Sequence, residues 1–186
     1  MEAIKKIEIN KVVKVILIAL FGTLLLTISA KIKIPFYPVP MTMQTFVVLF
    51  LGILLGPKIG LLTVSLYLFE GIFGLPVFAG TPEKGIGFVY FTGPTMGYLI
   101  GFLIAVYLSG SFKYDKGIIN TFLKLIFSVS FIYIIGLIWL GILIGWDKPI
   151  FKLGAQPFLL AELFKILLLL FLTPTLLKAK KLIKII

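Results

Sequence analysis

The chain has 186 residues, of which 60% are apolar and 13% charged, with a mean hydropathy of +1.17. Soluble domains run at about 45–50% apolar and about 25% charged, so this composition argues against a soluble enzyme and excludes a disordered chain and a disulfide scaffold. There is no Cys, His or Arg, and 18 lysines face 7 acids for a net charge of +11, which excludes thiolate catalysis, Cys/His zinc centres and imidazole bases.

The expected class is an all-α integral membrane protein, 1–186 forming one membrane domain, with six transmembrane helices in one bundle. Each span needs about 20 apolar residues. The first predicted helix is 15–30, preceded by Lys5, Lys6, Lys11 and Lys14. That order resembles a signal peptide, but Ile28 two residues before Ala30 spoils a small-residue cleavage site, so it reads as a retained helix. Lys31 to Pro40 is too rich in proline to be helical. Thr42 or Thr45 caps a second helix over 42–55, which Gly56-Pro57-Lys58 ends, and a third covers 59–73. Both are short, as tilted or re-entrant segments are.

Gly71 to Gly97 holds seven Gly and three Pro yet remains apolar and aromatic. Such a stretch is predicted to fold back on the bundle as a structured, functional loop. Pro94 opens a fourth helix, 94–109, followed by a fifth at 118–144 and a sixth at 157–177. Structured outer-face loops therefore follow helices 1 and 3. Trp139 and Trp146 suit an interfacial position near the end of the fifth helix. With both termini on one side, that side collects eleven lysines (5, 6, 11, 14, 58, 113, 116, 178, 180, 181 and 184) against five (31, 33, 84, 148 and 152) on the other. The positive-inside rule then puts both termini in the cytoplasm of a cell membrane. The same rule accounts for the net charge without nucleic acid.

Charges inside a span cost about 2.5–3.5 kcal/mol each and are functional candidates. Glu162 and Lys165 share one face of the sixth helix, three residues apart. At about 1.5 Å per residue, Glu162 sits about 8 Å below the outer end. Glu70 lies near the outer end of the third helix on a stripe with Thr63 and Tyr67. All three are expected to open towards a pocket under the outer loops. Two readings fit Glu162 and Lys165: mutual neutralisation during insertion, or an acceptor and a donor for a small ligand carrying N–H groups and a carboxylate. Thr42, Gln44 and Thr45 offer hydrogen bonds where the chain re-enters the bundle, as caps or as ligand contacts. Phe78, Tyr90 and Tyr98 suit the wall of an apolar cavity or the core. Ala19, Gly22 and Thr23 form a small-residue patch on the first helix that admits another helix, of this chain or of a partner. No Gly-x-x-x-x-Gly-Lys-Ser/Thr loop is present, so the chain carries no Walker-type ATP site.

Three motifs follow in order: Pro38-Val-Pro-Met-Thr-Met-Gln-Thr45, Tyr67-x-x-x-Gly-x-x-Gly-Leu-Pro-Val-Phe-Ala-Gly80, and Gly93-Pro-Thr-x-Gly-Tyr-Leu-x-Gly-Phe102. Together they resemble the BioY family, the biotin-specific S components of energy-coupling factor (ECF) vitamin transporters, over about Pro35 to Lys165. The resemblance implies a six-helix, non-enzymatic membrane protein of a prokaryote that captures biotin at the outer face without any cofactor. It also implies an ECF transmembrane coupling subunit and two ATPase subunits as partners, with no nucleic acid. The family's last helix carries Asp and, three residues on, Lys; here Glu162 and Lys165 stand in that pattern, Glu adding a methylene. By the same resemblance Glu162 accepts from the ureido ring, Thr42 and Gln44 complete the polar shell, and Phe78 and Tyr90 cover the thioether ring. Lys165 serves the carboxylate in a chain without Arg, and Ala19 and Thr23 correspond to the family's stripe for the coupling subunit. An S component for another vitamin and a stand-alone secondary transporter are the competing expectations. The second normally shows an inverted repeat, and none is evident here.

Overall fold

A computed structural model describes residues 2–34, 37, 39 and 41–182. Pro35, Pro38, Pro40 and Lys184, together with the side chains of Lys5, Lys6 and Lys33, lie outside the described residues. The order of elements is α1 (Glu2–Lys31), β1 (Lys33–Ile34), β2 (Met41–Thr42), α2 (Gln44–Ile72), α3 (Met96–Ser111), α4 (Gly117–Ile144), α5 (Ile150–Gly154) and α6 (Leu159–Leu182). A 3-10 turn at Gly87–Thr92 lies in the glycine-aromatic loop, and another at Gln156–Phe158 leads into α6. β1 and β2 pair antiparallel, Lys33 opposite Thr42, so a short ribbon brings the chain from α1 to α2.

α2 is a hairpin rather than a rod. At Gly56 the backbone turns to φ 79°, ψ 176°, a region open essentially to glycine, and Pro57 restarts the helix. A side chain placed on Gly60 would begin 3.4 Å from the Cα of Gly52. Those residues would be about 12 Å apart along a straight helix, so the arms 44–55 and 57–72 run side by side and antiparallel. Gln44 and Tyr67, on opposite arms, share a hydrogen bond. This matches the predicted break at Gly56-Pro57-Lys58. Helix α1 starts well before the predicted 15, because its Lys/Glu-rich opening is good helix material. α6 starts later than 157, since Gln156–Phe158 forms the 3-10 turn.

Among the described residues, four helical stretches are long and apolar enough to cross a membrane: Lys11–Lys31, Gln44–Ile72, Gly117–Ile144 and Ile150–Lys181, with mean hydropathy between 2.0 and 2.4. Met96–Ser111 is a shorter apolar helix. The hairpin divides the second of these stretches into two shorter arms. Large apolar side chains such as Leu17, Phe21, Ile134 and Phe171 are exposed along the helices, a belt that only a lipid environment solvates well. The fold is that of an all-helical, multi-pass membrane protein.

The small-residue patch of α1 points into this chain. Ala19 and Thr23 are buried, and a side chain on Gly22 would meet Thr63 at 2.4 Å. The patch therefore seats α1 on the hairpin of α2. The exposed face of α1 carries Leu17, Leu20, Phe21, Leu24 and Ile28 instead.

Candidate functional site

Glu162 and Lys165 meet at one end of the bundle, 3.2 Å apart and with 5% and 8% of their side chains exposed. Helical spacing puts them on one face, and two other elements complete the setting. Thr45, in the first turn of α2, donates its hydroxyl to Glu162 Oε2 at 3.0 Å and accepts from Lys165 Nζ at 3.0 Å. Tyr133, in mid-α4, donates to the same Oε2 at 3.0 Å. One carboxylate oxygen thus takes three donors while the other, Glu162 Oε1, is buried with no partner among the described residues. A buried carboxylate oxygen without a donor costs free energy. It keeps its full capacity to accept a hydrogen bond among the described residues.

The pair lines a cavity of about 60 Å³, room for roughly four to six waters. Thr42, Gln44, Thr45, Tyr90, Tyr98 and Tyr133 contribute polar groups to its wall, and Ala79, Leu99, Phe102, Ile132 and Phe158 apolar surface. Most of the predicted site residues therefore converge. Thr42 donates to Gln44 Oε1 at 3.1 Å and accepts from the Gln44 amide at 3.3 Å, closing the entry to α2. Gln44 Nε2 donates to Tyr67, whose hydroxyl donates to the Val77 carbonyl. Tyr98 donates to the Gly154 carbonyl and so anchors α5 to α3.

The glycine-aromatic loop folds over the cavity as a cap, as its composition suggested. Tyr90 donates to the Ala79 carbonyl at 2.8 Å. Burial pushes the Tyr90 phenol above its ordinary range, so this donor persists through neutral pH. Phe78 does not reach the cavity wall. It lies one layer behind, stacked on Tyr90 at 4.8 Å and edge-on to Tyr67 at 5.2 Å. Close approach to Gly71 holds it there, since a side chain on Gly71 would come within 2.0 Å of the Phe78 ring.

Glu70 also departs from expectation. Its Oε1 accepts from Thr23 at 2.9 Å, so this carboxylate faces α1, away from the cavity. The residue the sequence reading missed is Tyr133. A tyrosine within an apolar helix carries no spacing signal, and only the packing of α4 on α6 brings it to Glu162. A second hollow, with Tyr37, Lys84 and Pro94 in its wall, meets the first at Tyr90 and Thr95. Among the described residues no group of three or more metal-ligating side chains comes together.

The family model described as BioY family matches residues 3–182. The chain belongs to the BioY family. It is 37% identical to the probable biotin transporter BioY of Pyrococcus horikoshii over 83% of this chain and 90% of the relative. It is 34% identical to the biotin transporter BioY of Thermotoga maritima, over 77% and 84% of the two chains. A crystal structure of the S-component for biotin from an ECF-type ABC transporter superposes with a TM-score of 0.75 at 29% identity, over 91% of this chain and 93% of that one. The BioY match spans every element that builds the cavity, from α1 to α6.

Proposed function

We propose that this protein is a membrane-embedded biotin-binding S component that captures biotin in the cavity at Glu162 and Lys165. The observation that carries the reading is a buried glutamate whose Oε1 has no partner among the described residues, in the wall of a largely apolar cavity, in a chain of a family whose relatives are named biotin transporters. Oε1 accepts a ureido N–H. Gln44 has spent one amide proton on Tyr67 and gives the other to the ureido carbonyl. Lys165 has used two of its three protons on Thr45 and Glu162, leaving the third for the valerate carboxylate. Tyr90, Tyr98 and Phe158 cover the bicyclic ring, and Thr42 keeps Gln44 in place.

Room for only a few waters is too little for biotin, so the cap opens for entry, the hollow at Lys84 serving as vestibule. Counting the arms of α2 separately, α1, both arms, α3, α4 and α6 make six passes in one bundle. Lys14, Lys58, Lys113 and Lys180 gather at the end opposite the cavity, which by the positive-inside rule is cytoplasmic along with both termini. The cavity then faces outwards across the cell membrane. Inward release depends on an ECF coupling subunit and two ATPase subunits, a reading supported by the match to an ECF-type S-component and by the lack of a Walker-type motif in the sequence. Its role is capture and delivery, without catalysis.

The test is thermal unfolding of the purified protein with and without biotin. Tight binding raises stability by about 2.7 kcal/mol at a ligand concentration of 100 Kd. No shift with biotin, or an equal shift with thiamine, refutes the assignment.

A further inference from the structure

Three consecutive carbonyls in the cap are each held by a different element. Val77 accepts from Tyr67 of α2, Phe78 from Lys31 of α1, and Ala79 from Tyr90 of the 3-10 turn. Lys31 is the only charged donor of the three. Its Nζ donates to the Phe78 carbonyl, the Thr81 carbonyl and the Thr81 hydroxyl, each at 3.1 Å. The Thr81 hydroxyl in turn donates to the Phe78 carbonyl at 2.7 Å. Lys31 stands in the last turn of α1 and is exposed, so water alone would solvate its ammonium. The ammonium instead sits on three oxygens of the cap, next to Ala79 in the cavity wall.

We propose that Lys31 is a positioning residue that latches the cap over the cavity and sets how fast a bound ligand leaves. The proposal rests on the biotin-binding reading for the identity of that ligand. Hydrogen bonds from an ammonium are charge-assisted and stronger than neutral ones, and these connect segments that must separate when the cap lifts. The same bonds hold the cap of the ligand-free chain, so their loss eases entry as well as exit. Their loss therefore speeds opening of the cap in both directions, and release of a bound ligand with it.

Lys31→Met keeps the stem and removes the charge, whereas Lys31→Arg keeps the charge. With detergent-solubilised protein and labelled biotin, Lys31→Met is expected to raise the off-rate about tenfold or more, with the on-rate rising as well. Lys31→Arg is expected to stay near wild type and Thr81→Val to give a smaller rise. A role in general stability alone would leave both rates and the labelling rate unmoved. A readout without ligand uses the absence of cysteine from the chain. A single Ala79→Cys, labelled with an impermeant maleimide, reports cap opening and is expected to react faster when combined with Lys31→Met. Equal off-rates and equal labelling rates in folded Lys31→Met overturn the latch. If that variant does not fold, wild-type values for both readouts in Thr81→Val overturn it. Wild-type protein that binds no biotin refutes the function proposed above, and the labelling rates still decide the latch.

Discussion

Replacing Glu162 and Lys165 together separates their contribution to stability from their contribution to binding. Glu162→Leu alone leaves the Lys165 ammonium, 8% exposed, without the carboxylate 3.2 Å away. Breaking a buried pair by removing one partner costs about 3–5 kcal/mol. For a chain of this length that lowers Tm by roughly 6–20 °C, at about 2–4 °C per kcal/mol. The double variant Glu162→Leu/Lys165→Met removes both charges. Apolar replacement of a whole buried pair is often neutral or stabilising by about 1–4 kcal/mol, so the double variant is expected to melt well above the single one.

Binding is expected to move the other way. A hydrogen bond to a charged group contributes about 1.5–3 kcal/mol, or a factor of about 10 to 150 in affinity. The double variant therefore loses at least about tenfold in biotin affinity although its fold is recovered. Melting curves with and without biotin, together with a direct titration, measure both quantities on one sample. If the pair serves only to neutralise charge during insertion, the double variant binds biotin like wild type. That result would refute a ligand role for Glu162 and Lys165.

Tyr133→Phe removes one of three donors to Glu162 Oε2 and is expected to weaken biotin binding by less than about tenfold, read by the same titration. Gly71→Ala would drive a methyl into the Phe78 ring; overpacking of about 1–3 kcal/mol is expected to lower Tm and displace the cap, so that biotin affinity falls as well. Gly56→Ala places a side chain at φ 79°, and the expected outcome is a loss of about 1–3 kcal/mol in stability, seen as a lower Tm, with biotin affinity little changed because the turn lies at the opposite end.

The features readable in the sequence were those with a local physical signature. Gly56-Pro57 marked the turn of α2 because only glycine takes that backbone and proline restarts a helix. Glu162 and Lys165 stood out because two charges three residues apart in an apolar run have few structural reasons to be there. Other positions depended on long-range packing. The stripe through Thr63, Tyr67 and Glu70 was correctly spaced, yet which neighbour each residue met was set by how the hairpin leans on α1. Tyr67 turned to Gln44, while Glu70 turned to Thr23. Phe78 and Tyr90 were equivalent as aromatics in one loop, and only the fold of that loop put Tyr90 in the wall and Phe78 behind it. The patch around Gly22 signalled close helix approach without saying which helix came near.

Two connected sets of polar groups at the cavity end meet at adjacent residues. One runs from Tyr133 and Lys165 through Glu162 to Thr45. The other runs from Thr42 through Gln44 and Tyr67 to the Val77 carbonyl of the cap. Thr45 and Gln44 are neighbours in the first turn of α2, where amides lack helical partners and side-chain oxygens are most useful. A shift of that turn therefore changes the surroundings of Glu162 and the hold on the cap together. Neither set alone produces that coupling. An apolar first turn in α2 would keep the helix but disconnect the acceptor in the cavity from the loop that closes over it.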